Sequence, residues 1–486
     1  KSLHFSKIEG LGYDTVETLV CEDPYCDCGK GHLLVSDKDS TAAKTPENAA
    51  LMAINFNEGV IFYDDETIIS EEAAAKTKKT ITFLQENLTA DDWTIISGLS
   101  RFQKMMSIEI LPHDEQYQYT FSEEQQKEVA LKIAFEEDQI VPNLSTELND
   151  VYKNYHQEII EPSNNKTNIR LIDAISEGLK ASMRRYGNLV IMGQDIAEYG
   201  GVFKITDGFV KQFGKERVRN TPICESAIVS AAYGASINGM KAVMEMQFAD
   251  FVSSGFNPIV NLLAKSNYRW NQNADVVVRM PCGAGVGAGP FHSQTNEAWF
   301  TKTPGLKVVY PSFPADAKGL LCASINDPNP VLFFEHKALY RSIYQDVSED
   351  YYTIEIGKAS LLKEGNDITI ITYGAGVHWA LDTLKTHPNI SADLIDLRTL
   401  QPLDEAAIFT SVRKTGKVIF LQEDSLFGSM SSDVSALITE NCFEFLDAPV
   451  KRVASIETPI PFQGELEKQY LPKHRFASEL KTLIDY

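Results

Sequence analysis

Five short apolar runs recur after residue 188, each set off from the next by a helical or turn-rich interval: Leu189–Met192, Ala242–Met246, Asp275–Arg279, Leu306–Tyr310 and Pro330–Phe334. Near-continuous hydrophobicity, rather than apolar–polar alternation, suits strands that are covered on both faces. The pattern therefore predicts an α/β domain built on a parallel sheet, with helices such as Leu171–Tyr186 and Ser226–Ile237 packed against it. A second series begins after Tyr352. There Asp367–Thr372 leads through Tyr373-Gly-Ala-Gly376 into a helix, and Ala392–Asp396 and Lys417–Leu421 follow. This reads as a separate, smaller α/β domain. The expected boundaries are residues 168–345 for the first domain and 352–486 for the second. Upstream, helical patterning from Ser122 to Ile160 ends in the turn formers of Glu161–Thr167, which marks a helical tail and linker over 129–167. Residues 1–128 mix helical and strand-like patterning and carry no assignable signature.

At 486 residues and 43% hydrophobic content the chain can bury a large core. Its apolar runs fall well short of the roughly 18 residues that span a bilayer, so no membrane partner is expected. A formal net charge of -22 argues against nucleic acid and anionic membrane, because a polyanion would be repelled. Seven cysteines over this length are too few and too scattered for a disulfide framework and favour a reducing, cytoplasmic setting. Cys21, Cys26 and Cys28 crowd one polar segment with His32. Three thiolates and an imidazole can form a structural zinc knuckle, and an unmetallated loop is the alternative.

Three segments carry candidate chemistry. Glu225 stands at the mouth of an apolar, small-residue helix within Asn220–Gly234, which reads as buried on every side. A buried carboxylate is costly unless hydrogen-bonded, and burial raises its pKa, so Glu225 suits proton exchange with a bound heterocycle. The alternative is an exposed acid favoured by the helix dipole. Next, Glu245–Phe251 ends a buried strand in polar and aromatic residues, among them Gln247 and Phe251. Phe251 can stack on a flat ring or pack in the core. Finally, Pro281–Gln294 joins a strand to a helix through glycines 283, 285, 287 and 289, a loop that lets backbone approach a ligand closely. No Gly-Lys-Ser/Thr follows, so it is not a P-loop. His292, at its end, occupies the carboxyl edge of a parallel sheet, where such folds place ligands, or serves as a structural histidine.

Taken in order, these segments resemble the beta subunit of the thiamine-dependent first component of 2-oxo acid dehydrogenase complexes, branched-chain type. The resemblance extends through Ile196–Gly208, His292-Ser-Gln294, Pro304–Val309, Asp396–Asp404 and Glu457–Pro461. It implies a transketolase-like pyrimidine-binding domain followed by a transketolase-type C-terminal α/β domain. It further implies thiamine diphosphate shared with an alpha subunit that brings Mg2+, assembly as an alpha-beta heterotetramer, and acyl transfer to a lipoyl-bearing acyltransferase. By the same resemblance Glu225 bonds a ring nitrogen of the cofactor's aminopyrimidine, Phe251 packs on that ring, and Gln247 contacts the cofactor beside it. His292 is implied in passing the acyl group to lipoamide, and Asp327 and Asn329 in holding a structural potassium ion. The family's diphosphate half rests on a Gly-Asp-Gly in alpha, which this sequence lacks. Residues before Asn168 are extra for a beta subunit, and Lys132–Tyr155 resembles the linker of alpha-beta fusions. The implied reaction is oxidative decarboxylation of a branched-chain 2-oxo acid, with pyruvate as the alternative substrate. Two rivals are a single-chain enzyme of the transketolase or deoxyxylulose-phosphate synthase kind, and a non-catalytic docking subunit with a zinc-binding N-terminal adaptor.

Overall fold

The computed structural model describes residues 143–486 and, before them, residues 15–20, 30–36, 49–55, 60–62 and 81–82. The chain divides into two compact units, Lys1–Pro142 and Asn143–Tyr486. In the first, strands β1 (Thr15–Val20), β2 (Lys30–Ser36), β3 (Ala49–Asn55) and β4 (Val60–Phe62) pair antiparallel in sequence order. This meander occupies the region that the sequence left unassigned. His32 lies on β2 opposite Leu19 and Ala53, while Cys21, Cys26 and Cys28, its expected zinc partners, lie outside the described residues.

The second unit contains two principal sheets. Its strands are β5 (Lys166–Arg170), β6 (Leu189–Gly193), β7 (Val218–Asn220), β8 (Lys241–Glu245), β9 (Val276–Cys282), β10 (Lys307–Val309), β11 (Val331–His336) and β12 (Tyr344–Ser348), followed by β13 (Ser360–Lys363), β14 (Ile368–Thr372), β15 (Ala392–Asp396), β16 (Thr399–Gln401), β17 (Val418–Leu421) and β18 (Lys451–Val453). The first sheet has seven strands in the order β16-β10-β11-β9-β8-β6-β7. All pairs are parallel except β16 on β10. Every residue of β6, β9 and β11 is buried, as doubly covered strands require. The second sheet, β13-β15-β14-β17-β18, is parallel apart from β13. Both α/β domains thus form as the apolar runs predict.

Helix Leu171–Arg185 buries Leu171, Ile175, Leu179 and Met183, one face at helical spacing. Its start is fixed by Asp173, which accepts from the Arg170 backbone N–H at 3.3 Å and from Arg170 Nε at 2.7 Å. It packs closely on helix Pro314–Asn326, since a Cβ at Gly178 would stand 3.4 Å from the Lys318 carbonyl oxygen.

Two features differ from the sequence reading. Strand β16 follows β15 of the second domain yet adds an antiparallel edge to the first sheet, so the two domains share backbone hydrogen bonds. Within the expected helical tail, the described residues are helical only over Leu144–Asn149. The stretch beyond bonds outward instead of to itself: the Lys153 N–H donates to Asn329 Oδ1 at 2.7 Å, and Ile160 and Thr353 exchange bonds of 2.9 and 3.0 Å. The chain there is a strap held by the body.

Candidate active site

Adjacent parallel strands β9, β8, β6 and β7 deliver the candidate residues to one sheet edge. Gln194 follows β6, Glu225 heads the helix after β7, Gln247, Phe248 and Phe251 follow β8, and His292 ends the loop after β9. Carboxyl ends of parallel strands are where α/β sheets place ligands.

Glu225 is the first residue of helix Glu225–Ile237, where the helix dipole favours a carboxylate. Gln194, itself buried, donates from Nε2 to Glu225 Oε1 at 3.1 Å and so orients the carboxyl group. The helix is not enclosed on every side, as its composition suggests. Ile228, Val229, Ala232 and Ser236 are buried, whereas Ser226, Ala227, Ala231 and Ile237 are exposed and Glu225 is half-buried. Ile223, just before the helix, is 83% exposed. The small residues leave an open apolar face beside the carboxylate.

The turn Ala249–Ser253 closes against this helix, because a Cβ at Gly255 would lie 2.9 Å from Met246 Cε and 3.6 Å from the Glu225 carbonyl oxygen. The sequence-predicted Phe251 and His292 meet here, and Phe248 joins them. The His292 ring stands edge-on to Phe248 at 4.8 Å and 87°, and to Phe251 at 5.6 Å and 78°. Phe248 also packs on Phe203 at 5.7 Å. These four rings and Gln247 are half-buried, as befits a wall open to a ligand.

The glycine-rich loop has a different occupant from the ligand that its composition suggests. Carboxylates from the C-terminal domain fill it: Ala284 N–H donates to Glu423 Oε1 at 2.6 Å, Gly285 N–H to Glu467 Oε1 at 2.9 Å, and Gly287 N–H to Glu467 Oε2 at 3.1 Å. Gly283 has φ 87°, and a Cβ there would sit 2.3 Å from His336 Nε2. His336 Nε2 in turn lies 2.6 Å from Glu423 Oε2. Burial alone would raise the Glu423 carboxyl, but His336 and the Ala284 N–H outweigh it and hold it below the usual range. Glu423, Glu467 and His336 were not found from sequence. The one available signal was that Glu423 stands two residues after the end of β17.

Glu297 lies deeper along the same loop. It is fully buried, accepts from Tyr373 Oη at 2.6 Å, and its Oε2 has no partner. Burial, then the charge of Asp424, pushes it up to about 8 from an ordinary 4.5. Because the folded-state value is raised, the stability associated with its proton is complete below about 4.5 and is lost as pH rises through about 8. Glu297→Gln is therefore expected to flatten the decline in unfolding free energy between pH 7 and 9. An unchanged slope in urea titrations would show that Glu297 does not carry that proton.

Asp327 and Asn329 come together, but at the amino end of β11, away from the ligand edge. Asp327 Oδ1 accepts from the Asn329 N–H and Nδ2, both at 2.9 Å, and Oδ2 accepts from Lys307 Nζ. Asn329 Oδ1 accepts from the Lys153 N–H. An ammonium fills the place that a cation would take, so these side chains do not fit a potassium site. Among the described residues no group of three or more His, Cys, Asp or Glu side chains is placed to hold a metal.

Comparison with known proteins identifies the family. Residues 167–342 match the transketolase pyrimidine-binding domain family, and residues 357–475 match the transketolase C-terminal domain family. The chain is 47% identical over 305 residues to 2-oxoisovalerate dehydrogenase subunit beta of Bacillus subtilis, covering 62% of this chain and 93% of that relative. It is 42% identical over 339 residues to the mitochondrial 2-oxoisovalerate dehydrogenase subunit beta of Dictyostelium discoideum, covering 68% and 91%. The pyruvate dehydrogenase E1 component subunit beta of Bacillus subtilis is 42% identical over 316 residues, covering 64% and 96%. A solved split-gene transketolase, described as an inactive beta4 tetramer, shares the fold at a TM-score of 0.54 and 22% identity over 65% of this chain and 98% of that one. With nearly the full length of these relatives matched, the chain belongs to the transketolase-type family of beta subunits that includes those of 2-oxoisovalerate and pyruvate dehydrogenase.

Proposed function

We propose that this chain is the beta component of a 2-oxo acid dehydrogenase, working with an alpha subunit on branched-chain 2-oxo acids in a reducing, cytoplasmic setting. The observation that carries the reading is Glu225: a carboxylate oriented by Gln194, beside half-buried aromatic rings, on a helix whose small-residue face is open in the single chain. Such a face suits close packing by a partner subunit, in keeping with an alpha-beta heterotetramer. The described cysteines, Cys224, Cys282, Cys322 and Cys442, are free thiols, which suits that setting.

The residues present fit the heterocyclic half of thiamine diphosphate. Glu225 would bond a nitrogen of the aminopyrimidine, with Gln247 and Phe251 against the ring. They do not fit the diphosphate and its Mg2+, for which the sequence has no Gly-Asp-Gly and the described residues offer no metal cluster. That half falls to alpha. When bound, the cofactor supplies an electron sink for cleavage between the carboxyl and carbonyl carbons of the substrate. Glu225 contributes a proton held at its carboxyl oxygen, and Gln194 limits the directions in which that proton can point. His292, flanked by two phenylalanine rings, can exchange a proton with the acyl acceptor, a lipoyl group. The aromatic wall excludes water from the side that it covers.

Calorimetric titration of thiamine diphosphate and Mg2+ tests this reading. Binding is expected only when the chain is mixed with an alpha subunit; tight binding by the chain alone would favour a single-chain enzyme. Turnover of 2-oxoisovalerate against pyruvate by the mixture then settles the substrate.

A further inference from the structure

We infer that Asp250 is a positioning residue, the clamp that holds His292 in place against the Phe248–Phe251 turn. The inference rests on the functional reading above for the role of His292, but the placement stands on geometry. Asp250 Oδ1 accepts from the Ser293 N–H at 3.2 Å, the Gln294 N–H at 3.1 Å and Gln294 Nε2 at 3.0 Å. Two of these donors are the backbone groups of the residues directly after His292. Asn296 Nδ2 adds a fourth bond, to the Ala249 carbonyl at 2.9 Å. The turn that carries the aromatic wall and the loop that carries the histidine are thereby joined by these four hydrogen bonds. Asp250 itself sits behind that wall, between Ala249 and Phe251, and is 8% exposed.

Asp250 Oδ2 is buried and has no partner, a costly arrangement if only the shape of the side chain were needed. A buried cation lies nearby to offset the charge: Lys337 Nζ donates to the Gly283 carbonyl at 2.8 Å and lies 5.7 Å from the Phe248 ring centre. Burial lowers the Lys337 pKa, with the charge of Asp250 acting against that shift. Lys337 thus lies over the face of Phe248, the ring that His292 meets edge-on. A carboxylate can gather three converging N–H groups on one oxygen, and charge-assisted bonds of this kind are about twice as strong as neutral ones. Losing them would release His292 by a distance that matters, because about 1 Å of misplacement can cost about 10²-fold in rate.

The test uses the chain assembled with alpha and a lipoyl domain, reading kcat and KM for reductive acylation together with thiamine diphosphate affinity. Asp250→Ala is expected to lower kcat about 10²-fold, with KM for the lipoyl domain and cofactor affinity unchanged within about twofold. Asp250→Asn, whose amide oxygen can still accept the two backbone N–H groups, is expected to recover at least about tenfold of that loss. A fall in cofactor affinity that tracks the rate, or an Asn variant no better than Ala, would overturn the proposal. If Asp250→Ala does not assemble, Gln294→Ala removes one donor and leaves the carboxylate; a drop in kcat at constant KM is expected, and an unchanged kcat overturns the inference. Failure of the functional reading shows separately, as a wild-type mixture that binds no cofactor. In that event NMR of the isolated, 13C-histidine-labelled chain still reads the clamp: Asp250→Ala should shift the His292 ring signal and leave those of His378 and His387 in place. An unmoved His292 signal would refute it.

Discussion

Replacing Glu225 by glutamine is expected to lower 2-oxo acid turnover by the assembled enzyme about 10²–10⁴-fold, the range that a positioned acid–base group contributes. The substitution keeps the volume of the side chain and an oxygen for Gln194 Nε2 to reach, so orientation survives and only the exchangeable proton is removed. Stability should change little. A half-buried carboxylate at a helix N-terminus contributes about 0.3–1 kcal/mol through the dipole, far less than the catalytic effect. The contrast makes the experiment decisive. Turnover within tenfold of wild type would mean that Glu225 is only a helix-start acid, the alternative reading that its sequence position also allowed. Loss of turnover with a large fall in melting temperature would point to structure rather than chemistry.

What the sequence disclosed follows from where physics acts locally. Leu189–Met192 and Pro330–Phe334 announced buried parallel strands because both faces of such strands must be apolar, and β6 and β11 lie there. Glu225, Phe251 and His292 could be singled out because each lies in a segment that follows an apolar strand run, and all three stand at the carboxyl edge of the first sheet. Their partners were not. Gln194 is one polar residue after β6, and nothing in its neighbours says that it will reach a helix 31 positions away. Glu423 and Glu467 close the glycine loop across separations of 139 and 182 residues, so the loop's glycines invited a ligand while the acids that fill it stood out of sight. The helix after Glu225 was misread for a related reason. Small residues all round look like a core helix, yet in the single chain one face is open. Composition tells that a surface is suited to close packing but not which chain provides the other side. Arg279 misled in the opposite sense: it looked like the end of an apolar run, whereas β9 continues to Cys282 and buries the guanidinium completely.

That arginine sets up the largest stability effect expected in the chain. Arg279 Nη1 donates to Glu245 Oε2 at 2.5 Å, while Nε and Nη2 donate to Glu335 Oε1 and Oε2 at 2.7 and 2.8 Å. Tyr340 Oη adds a bond to Glu335 Oε2 at 2.7 Å. One guanidinium thereby ties three adjacent strands, β8, β9 and β11, close to where the Gln247–Phe251 turn and the glycine loop emerge. Arg279→Met leaves two buried carboxylates facing each other without a cation, and removing one member of a buried ionic set costs about 3–5 kcal/mol. Even in the native protein, burial and then the charge of Glu335 leave the Glu245 pKa raised, although Arg279 opposes the shift. Without the arginine that opposing charge is gone, so Glu245 should bind its proton still more readily in the folded state than in the unfolded chain. Its contribution is then retained at low pH and lost as pH rises, so the cost of Arg279→Met should be smaller at pH 5 than at pH 8. Urea unfolding at the two pH values measures both the size and the sign. A cost below about 1 kcal/mol, or one that does not change with pH, would mean that the carboxylates find other partners and that the triad does not hold the strand ends together.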